Sequence, residues 1–161
     1  MDHTETDHVE YLQRAVELSR AKMRAGEGGP FAALVVKDGL VVGEGWNRVT
    51  HGNDPTAHAE VSAIRDACSR LGTFSLDGAV MYTSCEPCPM CLAAIYWARI
   101  ARVYFANTTS DAAAAGFDDA FLYAELALPA EQRTLPCERV QMEEAHAVLA
   151  EWASMPDRIE Y

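Results

Sequence analysis

Two short segments of this chain restrict its fold because their side chains together suit one metal ion. The first is His58-Ala59-Glu60, and the second, which begins 30 residues after His58, is Cys88-Pro89-Met90-Cys91. One imidazole and two thiols are three ligands that suit Zn²⁺ and leave a fourth position open for water. We therefore expect the fold to bring these two distant segments to one point.

The spacing within each segment predicts that both lie at helix starts. Pro89 is of the residue type favoured at the first position of a helix. Cys88 and Cys91 are then three residues apart around one turn, so both sulfur atoms can face the same point. Unpaired N–H groups at a helix start favour the thiolate form of both cysteines. We expect His58 and Glu60 in the first turn of a second helix that converges on the same metal.

Glu60 indicates a catalytic rather than a structural zinc site. A carboxylate beside the open position can take a proton from water and pass it to a leaving amine. The pattern H-x-E followed by P-C-x-x-C, which Pro87 completes, is the signature of zinc-dependent nucleobase deaminases. The alternative is a closed, structural Cys3His site that includes Cys85. Such a site has no use for a carboxylate at position 60, so the catalytic interpretation is favoured.

Composition limits the class of substrate and the compartment. At 161 residues, half of them hydrophobic, the chain is expected to form one domain. The net charge is −11 and the 13 Lys and Arg residues are scattered, which argues against a nucleic-acid partner and allows a neutral small molecule. The polar, acidic N-terminus and the lack of a long apolar run predict neither a signal peptide nor a membrane span. Five cysteines, three of them grouped, argue against a disulfide framework, so we expect a cytoplasmic protein.

Hydrophobic periodicity predicts a layered α/β domain over residues 8–161, preceded by a disordered tail of residues 1–7. The expected strands are 31–36, 40–42, 79–83, 102–106 and 138–142. The expected helices are 8–25, one beginning near Pro55, 89–98, 111–126 with a break at Gly116, and 145–154. Residues at helical spacing mark the expected buried stripes of the first two helices: Val9, Leu12, Val16, Ser19 and Met23 on one, and Val61, Ile64, Cys68 and Leu71 on the other.

From about Gly28 to its C-terminus, the chain resembles the cytidine-deaminase-like guanine deaminases of bacteria. The residues that carry this resemblance form six blocks: Gly28–Phe31, Asn53–Glu60, Thr83–Cys91, Ile95–Arg99, Ala115–Asp119 and Glu160–Tyr161. The zinc motif identifies only the superfamily, and the blocks after it narrow the range of possible substrates. Ala32 departs from the pattern, because a glycine is expected after Pro30-Phe31.

The resemblance implies a three-layer α/β/α fold with a mixed five-stranded sheet. It implies a homodimer in which the C-terminal segment, with 153–161 as a candidate lid, can cross to cover the partner's active site. It implies the zinc-dependent hydrolysis of guanine to xanthine and ammonia, in purine catabolism or salvage.

The resemblance also implies roles for individual residues. His58, Cys88 and Cys91 carry over as zinc ligands and Glu60 as the proton shuttle. Glu125 carries over as a second carboxylate near the leaving group, in a register that the sequence leaves open. The substrate-binding residues are Asn47 and Asp119, which read the base, Phe31 and Trp97, whose rings could stack on it, and Tyr161 of the lid. For Trp97, packing in the core is an equal alternative.

Several other functions stay open from sequence. The same motif fits a deaminase of guanosine, of cytosine or cytidine, or of an aminotriazine. A tRNA adenosine deaminase is disfavoured by the acidic charge. A zinc-stabilised interaction domain without catalytic activity is the alternative from a different class.

Overall fold

The structure, a computed structural model, describes residues 5–161. It divides into two compact units, and the boundary between them lies between Tyr123 and Ala124. The strands are β1 (Ala32–Lys37), β2 (Leu40–Trp46), β3 (Val80–Cys85) and β4 (Arg102–Asn107). The helices are α1 (Glu5–Arg24), α2 (Val49–Gly52), α3 (Ala59–Leu71), α4 (Pro89–Trp97), α5 (Thr109–Ala114), α6 (Asp119–Ala127) and α7 (Glu143–Ser154). The unit boundary falls within α6.

The sheet of the described residues has four strands in the order β2-β1-β3-β4. β1 pairs antiparallel with β2 and β3, whereas β3 and β4 are parallel, so the predicted mixed sheet is confirmed. The prediction of five strands is wrong. Residues 138–142 adopt no regular structure and are exposed, and Val140 is the one β-branched residue among them, so the segment lacks the packed surface that stabilises a strand.

Alternate residues of the central strands face two separate cores, as the pleat of a strand requires. Leu34, Val36 and Tyr82 pack with Ala15 of α1 on one face. Ala33, Val35 and Met81 pack on the other face with α3 and with Ile95 of α4. The predicted three-layer α/β/α arrangement is therefore confirmed for the first unit.

Helix α3 lies directly on β2 because two glycines leave room for its backbone. A Cβ atom on Gly45 would lie 2.2 Å from the Ala63 nitrogen, and one on Gly43 would lie 2.6 Å from the Ala63 oxygen. The helix face that meets these glycines is a stripe of small residues at i, i+4 and i+8: Ala59, Ala63 and Ala67, all fully buried. This close packing fixes the start of α3, where His58 and Glu60 lie.

Three predicted boundaries differ from the structure by three or more residues, and the first is the end of β2, which extends to Trp46 rather than to residue 42. Residues 1–4 of the expected tail lie outside the described residues, but Glu5, Thr6 and Asp7 belong to α1. Acidic side chains in a first turn complement the positive end of the helix dipole, which favours the earlier start. Helix α3 begins at Ala59, and Pro55 lies in the turn before it.

The second unit, Ala124–Tyr161, contains the end of α6, a short 3₁₀ turn at Ala130–Gln132 and α7. Most of its residues are exposed, and Glu125, Leu128 and Arg133 are half-buried. Its large apolar side chains, including Val148, Leu149 and Trp152 of α7, are therefore open to solvent in the single chain. Across both units, each helix of residues 5–161 is too short or too polar to serve as a transmembrane segment.

Candidate metal centre and active-site cavity

The three predicted zinc ligands lie together at the starts of α3 and α4. His58 and Cys88 occupy the N-cap positions of the two helices, and Cys91 follows in the first turn of α4. The His58 Nδ1 atom is 3.5 Å from the Sγ atoms of both Cys88 and Cys91. With Zn–S about 2.3 Å and Zn–N about 2.0 Å, tetrahedral N and S ligands are also about 3.5 Å apart. The donor set therefore fits Zn²⁺ in both chemistry and spacing.

The electrostatic environment of this centre favours the thiolate form of Cys88, whereas the hydrogen bond with Cys88 and burial raise the pKa of Cys91. Hydrogen bonds from Cys91 and His58 lower the pKa of the Cys88 thiol to about 4. The cluster of His58, Cys88 and Cys91 is half-buried to buried, so this negative charge is poorly hydrated. A buried anion of this kind is stabilised by a bound cation.

Cys85 lies outside the cluster of metal-binding side chains found in residues 5–161. Its Sγ donates a hydrogen bond to the Thr108 carbonyl at 3.6 Å. Burial raises the pKa of the Cys85 thiol to about 11. The geometry therefore supports a three-residue ligand set over the closed Cys3His site.

Glu60 is buried beside the metal centre, on the first turn of α3, with a relative exposure of 6%. Burial raises the pKa of its carboxyl group above the ordinary value. The Thr83 hydroxyl on β3 donates a hydrogen bond to Glu60 Oε1 at 3.3 Å. The side chain is thus both close to the metal centre and held by a neighbouring strand.

A cavity of about 340 Å³ opens onto the metal centre within the first unit. It brings together six of the predicted site residues, Phe31, Asn47, His58, Glu60, Cys88 and Asp119, while Cys91 is fully buried. Ala32, the departure from the family pattern, is not among the lining residues, and its N–H group bonds to Ser84 Oγ. Cys85, considered from the sequence as a possible fourth ligand, also lines the cavity. The wall residues that were given no role from the sequence are Gly29, Val49, Thr50, Ala59, Glu86 and Phe117.

Hydrogen bonds within the chain fix the orientation of the Asn47 amide. Its Oδ1 accepts from the backbone N–H groups of Gly29 and Val49, each at 3.3 Å. The Nδ2 group is left to donate into the cavity. Gly28 is required beside it, because a Cβ atom there would lie 1.9 Å from the Asn47 carbonyl oxygen.

The two adjacent acids at the start of α6 have different surroundings. Asp118 Oδ1 accepts from the Phe121 N–H at 3.3 Å, which is a helix-capping interaction. Asp119 lines the cavity, and burial raises the pKa of its carboxyl group. One turn later, the Tyr123 hydroxyl donates to the Pro87 carbonyl at 2.7 Å and so ties α6 to the metal-binding loop.

Aromatic side chains form one wall of the cavity. The rings of Phe31 and Phe117 meet edge to face, with centroids 4.8 Å apart. Phe117 lies within the block Ala115–Asp119 that carries the family resemblance, which is the signal that could have identified it.

Three predicted site residues lie elsewhere in the described chain. Trp97 is 65% exposed at the end of α4, so the alternative that it packs in the core is wrong, and it is not a lining residue of the cavity. Glu125 belongs to the second unit, where its Oε2 accepts hydrogen bonds from the backbone N–H and hydroxyl of Thr134. Tyr161, in the same unit, is 71% exposed. Their roles at the site stay predictions.

The sequence of residues 5–107 matches the family described as the cytidine and deoxycytidylate deaminase zinc-binding region. This chain belongs to that family. It is a hydrolytic deaminase, and its cofactor is Zn²⁺, in agreement with the cluster of His58, Cys88 and Cys91.

Relatives of known structure or activity extend the match beyond the zinc-binding region. A guanine deaminase from Bacillus subtilis (strain 168) is 52% identical over 155 residues, which cover 96% of this chain and 99% of that protein. The X-ray structure of guanine deaminase from Bacillus subtilis superposes with a TM-score of 0.92 at 51% identity, covering 100% of this chain and 99% of the other. A tRNA-specific adenosine deaminase from Agrobacterium fabrum (strain C58) is 47% identical over 93 residues, only 56% of this chain and 61% of that protein.

Proposed function

We propose that this protein hydrolyses guanine to xanthine and ammonia, in purine catabolism or salvage. The observation that carries the proposal is the extent of the similarity. The match to guanine deaminase continues through the second unit to the end of the chain, whereas the match to the tRNA-specific enzyme covers little more than half of it. The segments outside the shared zinc region are therefore those of a guanine deaminase.

The ligands of the zinc ion are His58, Cys88 and Cys91, whose spacing fits tetrahedral coordination. When bound, the ion supplies a water molecule acidic enough to act as a nucleophile near neutral pH. The proposal is supported by the position of these residues at two helix starts, where His58 and Cys88 line the same cavity as Glu60.

Glu60 acts as the proton carrier. It takes the first proton from the attacking water as the new C2–O bond forms and delivers it to the adjacent ring nitrogen. It then takes the second proton from the resulting C2 hydroxyl group and delivers it to the amino group. The C2–N bond breaks as the C2=O bond forms, and the nitrogen departs as neutral ammonia rather than as an amide anion. Partial desolvation supports this role, because a carboxyl group with a raised pKa can hold a proton and release it.

Asn47 and Asp119 read the purine. The Nδ2 group of Asn47 donates to O6 or N7, since its Oδ1 is already occupied by backbone donors. The Asp119 carboxylate accepts from a ring N–H, and Phe31 stacks on the base beside Phe117. A donor and an acceptor facing one cavity suit an oxo-purine, which presents both kinds of group.

The catalytic unit is a cytoplasmic homodimer in which residues 8–161 act as one domain and 153–161 cover the active site of the partner. The exposed apolar residues of α7 support this proposal, because Ala145, Val148, Leu149 and Trp152 form a stripe at helical spacing that a second copy would bury. Trp97 and Tyr161, both exposed in the single chain, contribute to the assembled site, and Glu125 assists the departure of the amino group.

A substrate panel tests the proposal. The zinc-loaded protein is incubated with guanine, guanosine, cytosine, cytidine, adenine and small aminotriazines, and ammonia release is measured for each. We expect the highest kcat/KM for guanine, with xanthine as the product. A higher kcat/KM for guanosine or a pyrimidine would identify that compound, rather than guanine, as the substrate. If no compound of the panel released ammonia, the protein would lack the proposed deaminase activity.

A further inference from the structure

Two buried hydroxyl groups lie next to each other on β3 but make different contacts. Thr83 Oγ1 donates to Glu60 Oε1 at 3.3 Å, whereas Ser84 Oγ accepts from the Ala32 N–H group at 3.1 Å. Successive side chains of a strand point to opposite faces of the sheet. Thr83 thus faces α3 and the metal centre, and Ser84 supports the neighbouring strand.

Strand pairing, burial and a restricted χ1 torsion together fix the position of the Thr83 side chain. Its strand is internal to the sheet, where residue 83 lies opposite Ala33 on one neighbour and Phe105 on the other. The side chain is 1% exposed, and a β-branched residue has few χ1 rotamers available on a strand. The hydrogen-bond donor therefore has a fixed position relative to α3, which carries Glu60.

The Glu60 carboxyl group, by contrast, has a soft terminal torsion. Rotation about its last bond exchanges Oε1 and Oε2 and meets only a broad, roughly twofold barrier. A donor that engages one oxygen removes this freedom and makes the two oxygens inequivalent. The structure shows the Thr83 donor on Oε1, and the carboxyl group also interacts with its own backbone N–H and with the Cys91 thiol.

We propose that Thr83 is a positioning residue that holds Glu60 Oε1 and so reserves Oε2 for the proton that moves between water and substrate. The proposal rests on the proton-carrying role of Glu60 in the proposed function. Thr83 does not exchange a proton in the reaction. Its O–H bond stays intact, and its hydrogen bond keeps Oε2 directed toward the reacting atoms.

Four variants of two neighbouring residues separate positioning from packing. Thr83→Val keeps the shape of the side chain and removes the hydrogen-bond donor. Thr83→Ala also removes the donor, and its smaller side chain provides a second test if valine prevents folding. Thr83→Ser keeps the hydroxyl. Ser84→Ala is the matched control, because it removes an equally buried hydroxyl that contacts the backbone instead of Glu60.

We expect Thr83→Val and Thr83→Ala to lower kcat for guanine about tenfold, with KM and zinc content close to wild type. Tenfold corresponds to about 1.4 kcal/mol of transition-state stabilisation. Thr83→Ser should recover kcat to within about threefold of wild type, as the retention of a single hydrogen bond predicts. Ser84→Ala should lower the melting temperature while leaving kcat within about twofold of wild type.

Two results would overturn the proposal while leaving guanine deamination intact. One is wild-type kcat in a folded, zinc-loaded Thr83→Val or Thr83→Ala protein. The other is an equal loss of kcat in Ser84→Ala, which would assign the effect to the strand as a whole. A wild-type protein that releases no ammonia from guanine would instead overturn the proposed function, and this inference with it.

Discussion

Hydrogen bonds within the chain decide which polar atoms of the cavity remain for a ligand. Asn47 has its acceptor occupied by Gly29 and Val49, so it presents a donor. Asp118 has an oxygen occupied by the Phe121 N–H, so the neighbouring Asp119 provides the free acceptor. The sequence shows which residue types are present, but it does not show which of their polar atoms are already occupied by hydrogen bonds within the chain.

The pair of adjacent acids provides the first prediction. Asp119→Ala should lower kcat/KM for guanine about tenfold to a hundredfold, because a substrate N–H loses its acceptor in a partly desolvated cavity. Zinc content should be unchanged. Asp118→Ala is the control, which should cost about 0.5–2 kcal/mol of stability through the lost cap and affect kcat/KM by less than about threefold. Steady-state kinetics and thermal unfolding of both variants check this, and the reverse pattern would assign base reading to Asp118.

The cluster of three side chains that could hold a metal ion was predictable from sequence because the chemistry of each residue is local. His58, Cys88 and Cys91 carry their ligand type in the side chain, and Pro89 marks the helix start that aligns the two sulfurs. Thr83 and Phe117 could not be selected in this way, since their importance depends on which atoms the fold places beside them. The alternative that Trp97 packs in the core was wrong because a residue at the end of a helix can remain exposed even when its ring is large.

Close packing of α3 on β2 positions the metal centre. Sequence periodicity favoured Val61, Ile64, Cys68 and Leu71 as the buried stripe, but the residues in closest contact are the small ones, Ala59, Ala63 and Ala67. Side-chain size misleads here because Gly43 and Gly45 let the helix backbone approach the strand backbone directly. On α1, Ala15 is likewise fully buried, whereas Val9 and Met23, both expected in its buried stripe, are exposed.

The second prediction tests this packing. Gly45→Ala would place a methyl group 2.2 Å from the Ala63 nitrogen and 2.3 Å from the Ala59 oxygen, so α3 must move away from the sheet. We expect a loss of at least about 1–3 kcal/mol in the free energy of unfolding, the usual range for overpacking. We also expect weaker zinc binding, because His58 precedes this helix.

Gly52→Ala is the matched control for Gly45→Ala, because a Cβ atom at position 52 meets open space. Denaturant unfolding and zinc titration of the two variants are the measurements. A Gly45→Ala protein with wild-type stability and zinc affinity would show that the helix is not held at this distance.

Strands β1 and β3 were predictable because they are largely buried runs that contain β-branched residues, such as Val35 of β1 and Thr83 of β3. Residues 138–142, Glu-Arg-Val-Gln-Met, contain one β-branched residue and adopt no regular structure. Pairing depends on a partner strand at the right place, and this is a property of the whole chain rather than of five residues.

The exposed apolar surface of the second unit is large for a single chain. Ile159 and Tyr161 at the C-terminus are 66% and 71% exposed, and α7 presents its apolar stripe to solvent. Terminal residues of this kind are usually dispensable for stability. In the proposed homodimer they cover the partner's substrate instead.

The third prediction removes this segment. Deletion of residues 159–161 should leave the melting temperature and zinc content near wild type, because these side chains are mostly exposed in the single chain. It should lower kcat/KM for guanine about tenfold or more, since an uncovered site admits water and orders the base poorly. Guanine and guanosine kinetics of the truncated protein are the measurements. Unchanged guanine kinetics would show that residues 159–161 lie on the surface and take no part in the active site.

Zinc content and guanine turnover of Glu60→Gln, measured side by side with wild type, test the catalytic centre most directly. Glutamine keeps the shape of the buried side chain and removes its ability to carry a proton. We predict one zinc per chain in both proteins, with turnover of the variant lower by about 10²–10⁴-fold, the usual contribution of a general acid–base group. A zinc-loaded Glu60→Gln protein that deaminates guanine within a fewfold of the wild-type rate would contradict the proton-carrying role of Glu60.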